Sequence, residues 1–264
     1  MRFSAASRVD EAYVLRTHLL GEADLIVTLL AEHAGRVKGV ARSARRSRKR
    51  FGGALEPLTR VSARWTEKEG RELHQLESLE LLQSYAPLQA DPVFQATCAV
   101  LAEIAISVSR EDQPDAKSFR LLGAVLDALE AGLDRSVALR YFEYWTLRLH
   151  GLLPDLGVCG GCDRSLSPGA RRLMNPGSGV YCPCCASRHG VSGKGPGKAD
   201  LEFLSCAASR PPTAMGEHVR AARSGGTLER LLRGTLEVFV ERAFRTYRHL
   251  ELVVPDRRPG SAGS

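Results

Sequence analysis

Residues 13–30 read YVLRTHLLGEADLIVTLL, two runs of apolar and β-branched residues on either side of the polar turn at 21–24. Runs of this length that flank a short turn are typical of a β-hairpin. Three further short runs follow, at 36–42, 58–65 and 72–79. Five candidate strands in about 70 residues predict a small β-barrel of OB type or SH3-like type, and the strand pattern is compatible with both.

Beyond the barrel, apolar residues recur at helical spacing, with a Gly-, Pro- and Cys-rich stretch between the helical segments. Asp91-Pro92 is typical of a helix start. Helical spacing covers 93–109, 115–131, 136–149, 200–208 and 228–249. The polar residues 1–9 and the tail after Pro255 are expected to be loose. The predicted fold class is α+β multidomain: a barrel in 1–84, an α-helical domain in 85–255 with a four-cysteine module inserted at 157–190, and a disordered tail in 256–264.

Positive charge is concentrated in one segment, although the whole chain carries a net charge of only +7. We call residues 35–51 the basic segment, because it contains no Asp or Glu and eight basic residues: Arg36, Lys38, Arg42, Arg45, Arg46, Arg48, Lys49 and Arg50. Lys and Arg on a loop can follow a phosphate backbone without demanding one base sequence. The segment therefore predicts a nucleic-acid interface; the alternatives are a solvated charge cluster and a targeting signal.

The sequence also predicts the local structure of the basic segment and whether nearby aromatic residues stack on bases. Ser43, Ser47 and the pair 52–53 disfavour a stable helix, so a flexible arm between two strands is expected. Phe51 and Trp65 could stack on bases, but aromatic residues at such positions are more often part of the core. An electrostatic groove is therefore favoured over a stacking platform. Tyr141, Phe142 and Trp145 are likewise expected in the core.

Seven cysteines, an odd number, argue against a disulfide framework in a chain that shows no export signal. Cys159 and Cys162 form one CxxC pair, and nineteen residues later Cys182 and Cys185 form another, with Cys184 between them. Two pairs at this separation predict tetrahedral zinc. Four thiolates close the coordination shell, so the expected Zn2+ is structural; Cys184 could replace Cys185 or stay free. Two others, Cys98 and Cys206, are expected to be buried small apolar residues.

Several classes of protein lack support in the sequence. The sequence contains no run of about 18 apolar residues, so no membrane span is predicted. Residues 1–10 have no apolar core of signal-peptide type. The cytoplasm is therefore expected. The HExxH, GxSxG and GxxxxGK[ST] motifs are missing from the sequence, and the protein is predicted not to be an enzyme.

The N-terminal part resembles one known family. Residues 14–17, 21–30 and 35–36 resemble the N-terminal domain of the RecO family of bacterial recombination mediators, and 40–48 and 55–58 continue the likeness. The resemblance implies an OB-fold that binds DNA and an α-helical domain. It also implies a structural zinc, which falls here on Cys159, Cys162, Cys182 and Cys185.

Family membership would further imply a role in DNA repair and homologous recombination by a RecF-type pathway. It implies binding of single- and double-stranded DNA, annealing of complementary strands, and work with RecR to load RecA onto strands covered by single-strand DNA-binding protein (SSB), in the cytoplasm at the nucleoid. The C-terminus departs from the family pattern, because residues 249–254 read HLELVV where many relatives have a basic Pro-Leu-Lys-Ser-type motif. No role is carried over to that tail.

Two other function classes share some of these features. An RNA-binding or translation-associated zinc protein could use the same barrel and the same basic segment. A thiol enzyme could use Cys182 to Cys185, although no thioredoxin-like βαβ pattern surrounds them.

Overall fold

The chain forms two compact units in a computed structural model. Descriptions cover residues 7–67, 72–85, 90–166, 173–175, 177, 179–191, 194–223 and 225–253, without the side chains of Arg48 and of 173–175. One unit takes in the described residues up to Ile106, Glu111–Gln113 and those from Phe244 onward. The other takes in Ser107–Arg110 and those from Pro114 to Ala243. The predicted domain bounds, at residues 84 and 255, stay predictions.

Five strands of the first unit form a closed barrel. They are β1 (Ser7–Leu20), β2 (Asp24–Ala31), β3 (Gly35–Ala41), β4 (Arg60–Thr66) and β5 (His74–Gln83). The order around the barrel is β1-β2-β3-β5-β4, and β1 also pairs with β4. All ladders are antiparallel except that between β3 and β5. This five-stranded topology is the OB-fold, so the predicted fold class is confirmed and the SH3-like alternative is removed.

Alternation along the strands sorts side chains between the core and the surface. On β3, Val37 and Ala41 are buried while Arg36 and Lys38 point outward and are half-buried. Trp65 and Phe51 are each 1% exposed and belong to the barrel core. The expectation that both aromatic residues are core residues is therefore confirmed.

The helices follow the predicted order, with a small hairpin among them. In chain order they are α1 (Arg48–Phe51), α2 (Pro92–Val108), α3 (Ala116–Glu130), α4 (Arg135–Leu149), α5 (Pro183–Arg188), α6 (Lys198–Ser209), α7 (Val219–Ala222), α8 (Thr227–Phe239) and α9 (Arg245–Val253). The hairpin consists of β6 (Leu173–Asn175) and β7 (Gly179–Tyr181). Asp115 and Asp134 cap α3 and α4 by accepting hydrogen bonds from backbone N–H groups of the first turn.

Two sequence expectations about element bounds were wrong. The helix predicted over 228–249 is broken between α8 and α9, where Glu241 has φ +55°. The two helices belong to different compact units, and the break falls beside the boundary between them in sequence. The loose N-terminus was expected to reach residue 9, but Ser7–Val9 already pair with β4. Within the described ranges, no helix is long and apolar enough to cross a membrane.

Candidate nucleic-acid interface and metal centre

The central part of the basic segment, residues 42–50, is a folded turn that we call the basic turn. Its start is held by the β1–β2 turn. The Ser43 backbone N–H donates to Oδ1 of Asp24 at 2.7 Å, and Ser43 itself has φ +53°. The Arg45 backbone N–H donates to the carbonyl of Ala23 at 3.2 Å, and its Nη1 donates to the carbonyl of Glu22 at 3.0 Å. Backbone and side-chain contacts therefore fix this end of the basic turn.

The other end of the basic turn is anchored by α1. Phe51, the last residue of α1, is buried in the barrel core, and the Arg50 guanidinium lies 5.1 Å from the centre of its ring. Arg50 also donates to the carbonyl of Arg42 at 2.8 Å and to Oγ of Ser47 at 3.1 Å. The expected flexible arm is therefore wrong: buried Ala44 and Phe51, together with these hydrogen bonds, order the segment into turns and one turn of helix.

Most cations of the basic turn face solvent. The exposed ones are Arg42, Arg45, Arg46, Lys49 and Arg50. In the part of the chain that the structure describes, none of these five has a carboxylate oxygen within 4.0 Å. The side chain of Arg48 lies outside the described part. Five uncompensated charges on one ordered turn create a positive potential that attracts polyanions.

The two basic residues of β3 have a different environment. Nζ of Lys38 lies 2.6 Å from Oε1 of Glu111, and Nη2 of Arg36 lies 3.2 Å from the same oxygen. Nη1 of Arg36 donates to the carbonyl of Ile106 at 2.6 Å. The hydrogen bond from Lys38 is the main reason that the pKa of Glu111 is lowered. The predicted interface residues whose side chains the structure describes thus fall into an exposed group and an internally paired group.

Glu111 reaches β3 because residues 111–113 lie beside the first half of that strand. β3 pairs with β5 only over Gly39–Ala41, which leaves its start available. Arg36 forms a parallel bridge with Glu111, and the Asp112 backbone N–H donates to the carbonyl of Arg36 at 3.2 Å. Gly35 has φ +74°, and a Cβ there would lie 1.8 Å from the carbonyl oxygen of Gln113. Sequence reasoning missed Glu111, because nothing near it in sequence marks a contact with β3.

The four-cysteine module builds a compact cluster of sulfur atoms. The Cys182 backbone N–H donates to Sγ of Cys159 at 3.2 Å, and the Cys185 N–H donates to Sγ of Cys182 at 3.5 Å. A Cβ on Gly161 would lie 3.0 Å from Cβ of Cys185, so the first CxxC turn needs a small residue there. Close backbone packing, with N–H groups directed at sulfur, is typical of thiolate metal sites.

The ligand atoms of four cysteines come together, and these are the four named from the spacing. The Sγ atoms of Cys159, Cys162, Cys182 and Cys185 all lie within 4.8 Å of one another. Cys184 is exposed and stands outside this group, which settles which cysteine of the second pair joins the cluster. Tetrahedral zinc with S–Zn bonds of about 2.3 Å places its sulfur atoms about 3.8 Å apart. The Sγ atoms of Cys162 and Cys182 lie 3.9 Å apart.

The thiol chemistry of the cluster fits a cation at its centre. Although burial raises the pKa of Cys159, N–H donors from Cys182, Gly161 and Cys162 lower it to about 6. The contact with Cys162 is the main reason that the pKa of Cys185 rises to about 12. Four such sulfurs cannot all ionise beside one another without a compensating charge, and a divalent cation supplies that charge. The residues present therefore fit a structural metal ion.

Other side chains singled out from the sequence have structural positions. Cys98 is buried, and burial raises the pKa of its thiol to about 12, which removes it as a nucleophile near neutral pH. Cys206 is half-buried. Tyr141 and Phe142 are buried in the second unit, as expected of core residues, whereas Trp145 is only half-buried.

Comparison with known proteins places this architecture in a family. Residues 7–85 match the family model described as "Recombination protein O N terminal", and residues 89–248 match "Recombination protein O C terminal". The chain belongs to the RecO family. Together the two matches cover the barrel, most of the helical part and all four clustered cysteines.

Curated RecO relatives align over about two thirds of the chain. A protein named "DNA repair protein RecO" from Anaeromyxobacter sp. (strain K) is 42% identical over 173 residues, which is 66% of this chain and 68% of the relative. The protein of that name from Nocardioides sp. is 38% identical over 67% of this chain and 73% of the relative. The one from Syntrophus aciditrophicus is 32% identical over 68% and 70%.

Proposed function

We propose that the chain is a DNA repair and recombination mediator that binds single- and double-stranded DNA through the basic turn. The observation that carries this proposal is the set of five exposed cations that an ordered turn holds on an OB-fold, with no carboxylate partner among the residues that the structure describes. Charge on a fixed surface binds phosphates regardless of base sequence. The similarity to proteins named "DNA repair protein RecO" supports the same conclusion.

The basic turn would promote annealing by reducing repulsion between two polyanionic strands. Lys and Arg neutralise phosphates and release the counterions condensed on them, and this drives association without a nucleotide cofactor. No bond is made or broken, so we propose a binding protein and not an enzyme. In this role the chain would act at the nucleoid in the cytoplasm, with RecR, to load RecA onto strands covered by SSB in a RecF-type pathway.

We propose Zn2+ as the ion of the four-cysteine cluster. Cys159, Cys162, Cys182 and Cys185 would hold it as thiolates, and four protein ligands leave no position for a reacting water. When bound, the ion supplies folding free energy to the module. The module would then support the helical unit and take no part in chemistry on DNA.

The experiment that tests this function is annealing of complementary oligonucleotides, with and without SSB and without ATP. The expected result is that the wild-type chain accelerates duplex formation, whereas a variant with Arg42, Arg45, Arg46, Lys49 and Arg50 all changed to Ala does not. Equal acceleration by both proteins would contradict the role of the basic turn. Tighter binding to RNA than to DNA of the same sequence would instead identify an RNA-binding protein.

A further inference from the structure

We propose that Glu111 is an internal competitor of nucleic-acid phosphate for Lys38 and Arg36, so that this carboxylate sets how tightly the barrel binds DNA. The inference rests on the proposed function and deepens it. Glu111 would hold two cations in an anion-binding site on β3, next to the basic turn. A phosphate group of bound DNA would take the place of the carboxylate at that site.

The contacts at Glu111 are those that an anion-binding site offers to an oxyanion. One oxygen of the carboxylate contacts both Nζ of Lys38, at 2.6 Å, and Nη2 of Arg36, at 3.2 Å. Phosphate and carboxylate oxygens both accept hydrogen bonds from Lys and Arg at similar distances, and the planar guanidinium of Arg can bind either group. Lys38 and Arg36 can therefore bind a phosphate oxygen in place of the carboxylate.

The ion pair between Lys38 and Glu111 is exposed enough for a phosphate to replace the carboxylate. The side chains of Lys38 and Glu111 are each 37% exposed, so water reaches both. Ion pairs with such exposure contribute little to stability, and the interaction with a phosphate of a tightly bound strand can exceed that contribution. Arg36 is only 19% exposed and keeps its hydrogen bond to the carbonyl of Ile106, so Lys38 is the cation that changes partner most readily.

Lys38 is near enough to the basic turn that a DNA strand bound there can also contact Lys38 once Glu111 is displaced. Lys38 lies on β3 and Arg42 follows directly after its last residue, so the two are four residues apart, or about 13 Å at the usual rise per residue of a strand. A bound single strand can span this distance and meet both. Backbone contacts still hold residues 111–113 after the exchange, because the Asp112 N–H bonds to the carbonyl of Arg36 and not to a side chain.

The test compares two Glu→Gln variants of the full chain in binding to a single-stranded oligonucleotide at about 50 mM salt. Glu111→Gln removes the competitor. Glu80→Gln is the matched control, because Glu80 is an exposed acid of the same barrel that forms no ion pair with any described residue. We expect Glu111→Gln to bind about two- to fivefold more tightly than Glu80→Gln, the factor that release of an exposed ion pair allows.

A double-mutant cycle and a second substitution separate the possible outcomes. Lys38→Ala should cost more affinity in the Glu111→Gln background than in the wild type, by the same factor. Glu111→Asp shortens the side chain and moves the carboxylate away from Lys38 without changing the net charge, so this variant should also bind DNA more tightly than the wild type. It keeps the test valid if Glu111→Gln fails to fold. Equal affinity of both Glu111 variants and their references would overturn the competition. Failure of the wild type to bind at all would instead overturn the proposed function.

Discussion

The four-cysteine module and the basic segment are both short, compositionally biased stretches, yet their functional atoms are organised in different ways. The four clustered sulfur atoms all come from residues 159–185, and the contacts that arrange them come from the same stretch. Residues far away in sequence determine the arrangement of the basic segment. Asp24 holds the basic turn in place, and Glu111 forms ion pairs with Lys38 and Arg36 on β3. Spacing therefore predicts a locally built site well, but charge content does not predict which charges remain available.

The sharpest way to test the local character of the cysteine module is to remove one ligand. Cys159→Ser should abolish stoichiometric metal and unfold the module, since structural zinc contributes on the order of 10 kcal/mol to comparable small domains. Cys184→Ser is the control and should keep both metal and stability, because Cys184 stands outside the cluster. Elemental analysis and thermal unfolding measure the two effects. A metal content unchanged by Cys159→Ser would refute the assignment.

Two glycines with nearly equal backbone angles test the long-range side of the comparison. Gly35 has φ +74° and Gly53 has φ +71°, but only a Cβ on Gly35 would collide with residues 111–113. Gly53→Ala should cost about 1 kcal/mol for the backbone angle alone. Gly35→Ala should cost about 3 kcal/mol, because overpacking adds to that strain. Denaturant midpoints give both values, and equal losses would mean that segment 111–113 does not lie against β3.

The hydrogen bond from the Ser43 N–H to Asp24 tests how the basic turn is held. Asp24→Ala should lower the free energy of unfolding by about 1 kcal/mol, the net contribution of such a bond. It should also weaken DNA binding, because the cations lose their fixed arrangement. Asp24→Asn retains an acceptor oxygen and should restore much of both. If the Ala variant matched the Asn variant in chemical denaturation and in DNA affinity, the Asp24 contact would not organise the turn.

The smallest change concerns a single exposed cation. Arg46→Ala should leave stability within about 0.5 kcal/mol of the wild type, since the Arg46 side chain is exposed. It should reduce the slope of log K against log salt by about 0.7 on a single strand. Arg220→Ala, an exposed arginine of the second unit, is the comparison and should leave the slope unchanged. A slope that responded equally to both would indicate diffuse charge and not a local interface.

Residue patterns predicted the barrel because its strands alternate on their own and short turns join β1 to β2 and β2 to β3. They failed where tertiary contacts decide the local structure. Ser7–Val9 are too polar to indicate a strand, but pairing with β4 makes them one. Residues 228–249 keep helical spacing across a break, because α8 and α9 each need an apolar face, although for different cores.

The same limit applies to the candidate site. Cysteine spacing named the four clustered thiols, since a CxxC turn brings its own sulfur atoms together. The ordered basic turn was mistaken for a flexible arm, because its serines and glycines disfavour a helix while the anchor, Phe51, depends on the barrel core. Glu111 was missed because β3 and residues 111–113 meet only in the folded chain.

The most direct measurement of the central claim is a salt titration of single-stranded DNA binding by fluorescence anisotropy. It compares the wild type with the variant that carries Ala at Arg42, Arg45, Arg46, Lys49 and Arg50. The account predicts that the wild-type affinity falls with salt at a log–log slope of about −3.5 if all five cations contact phosphate, and that the variant loses most of both slope and affinity. A variant with wild-type affinity and slope would contradict it.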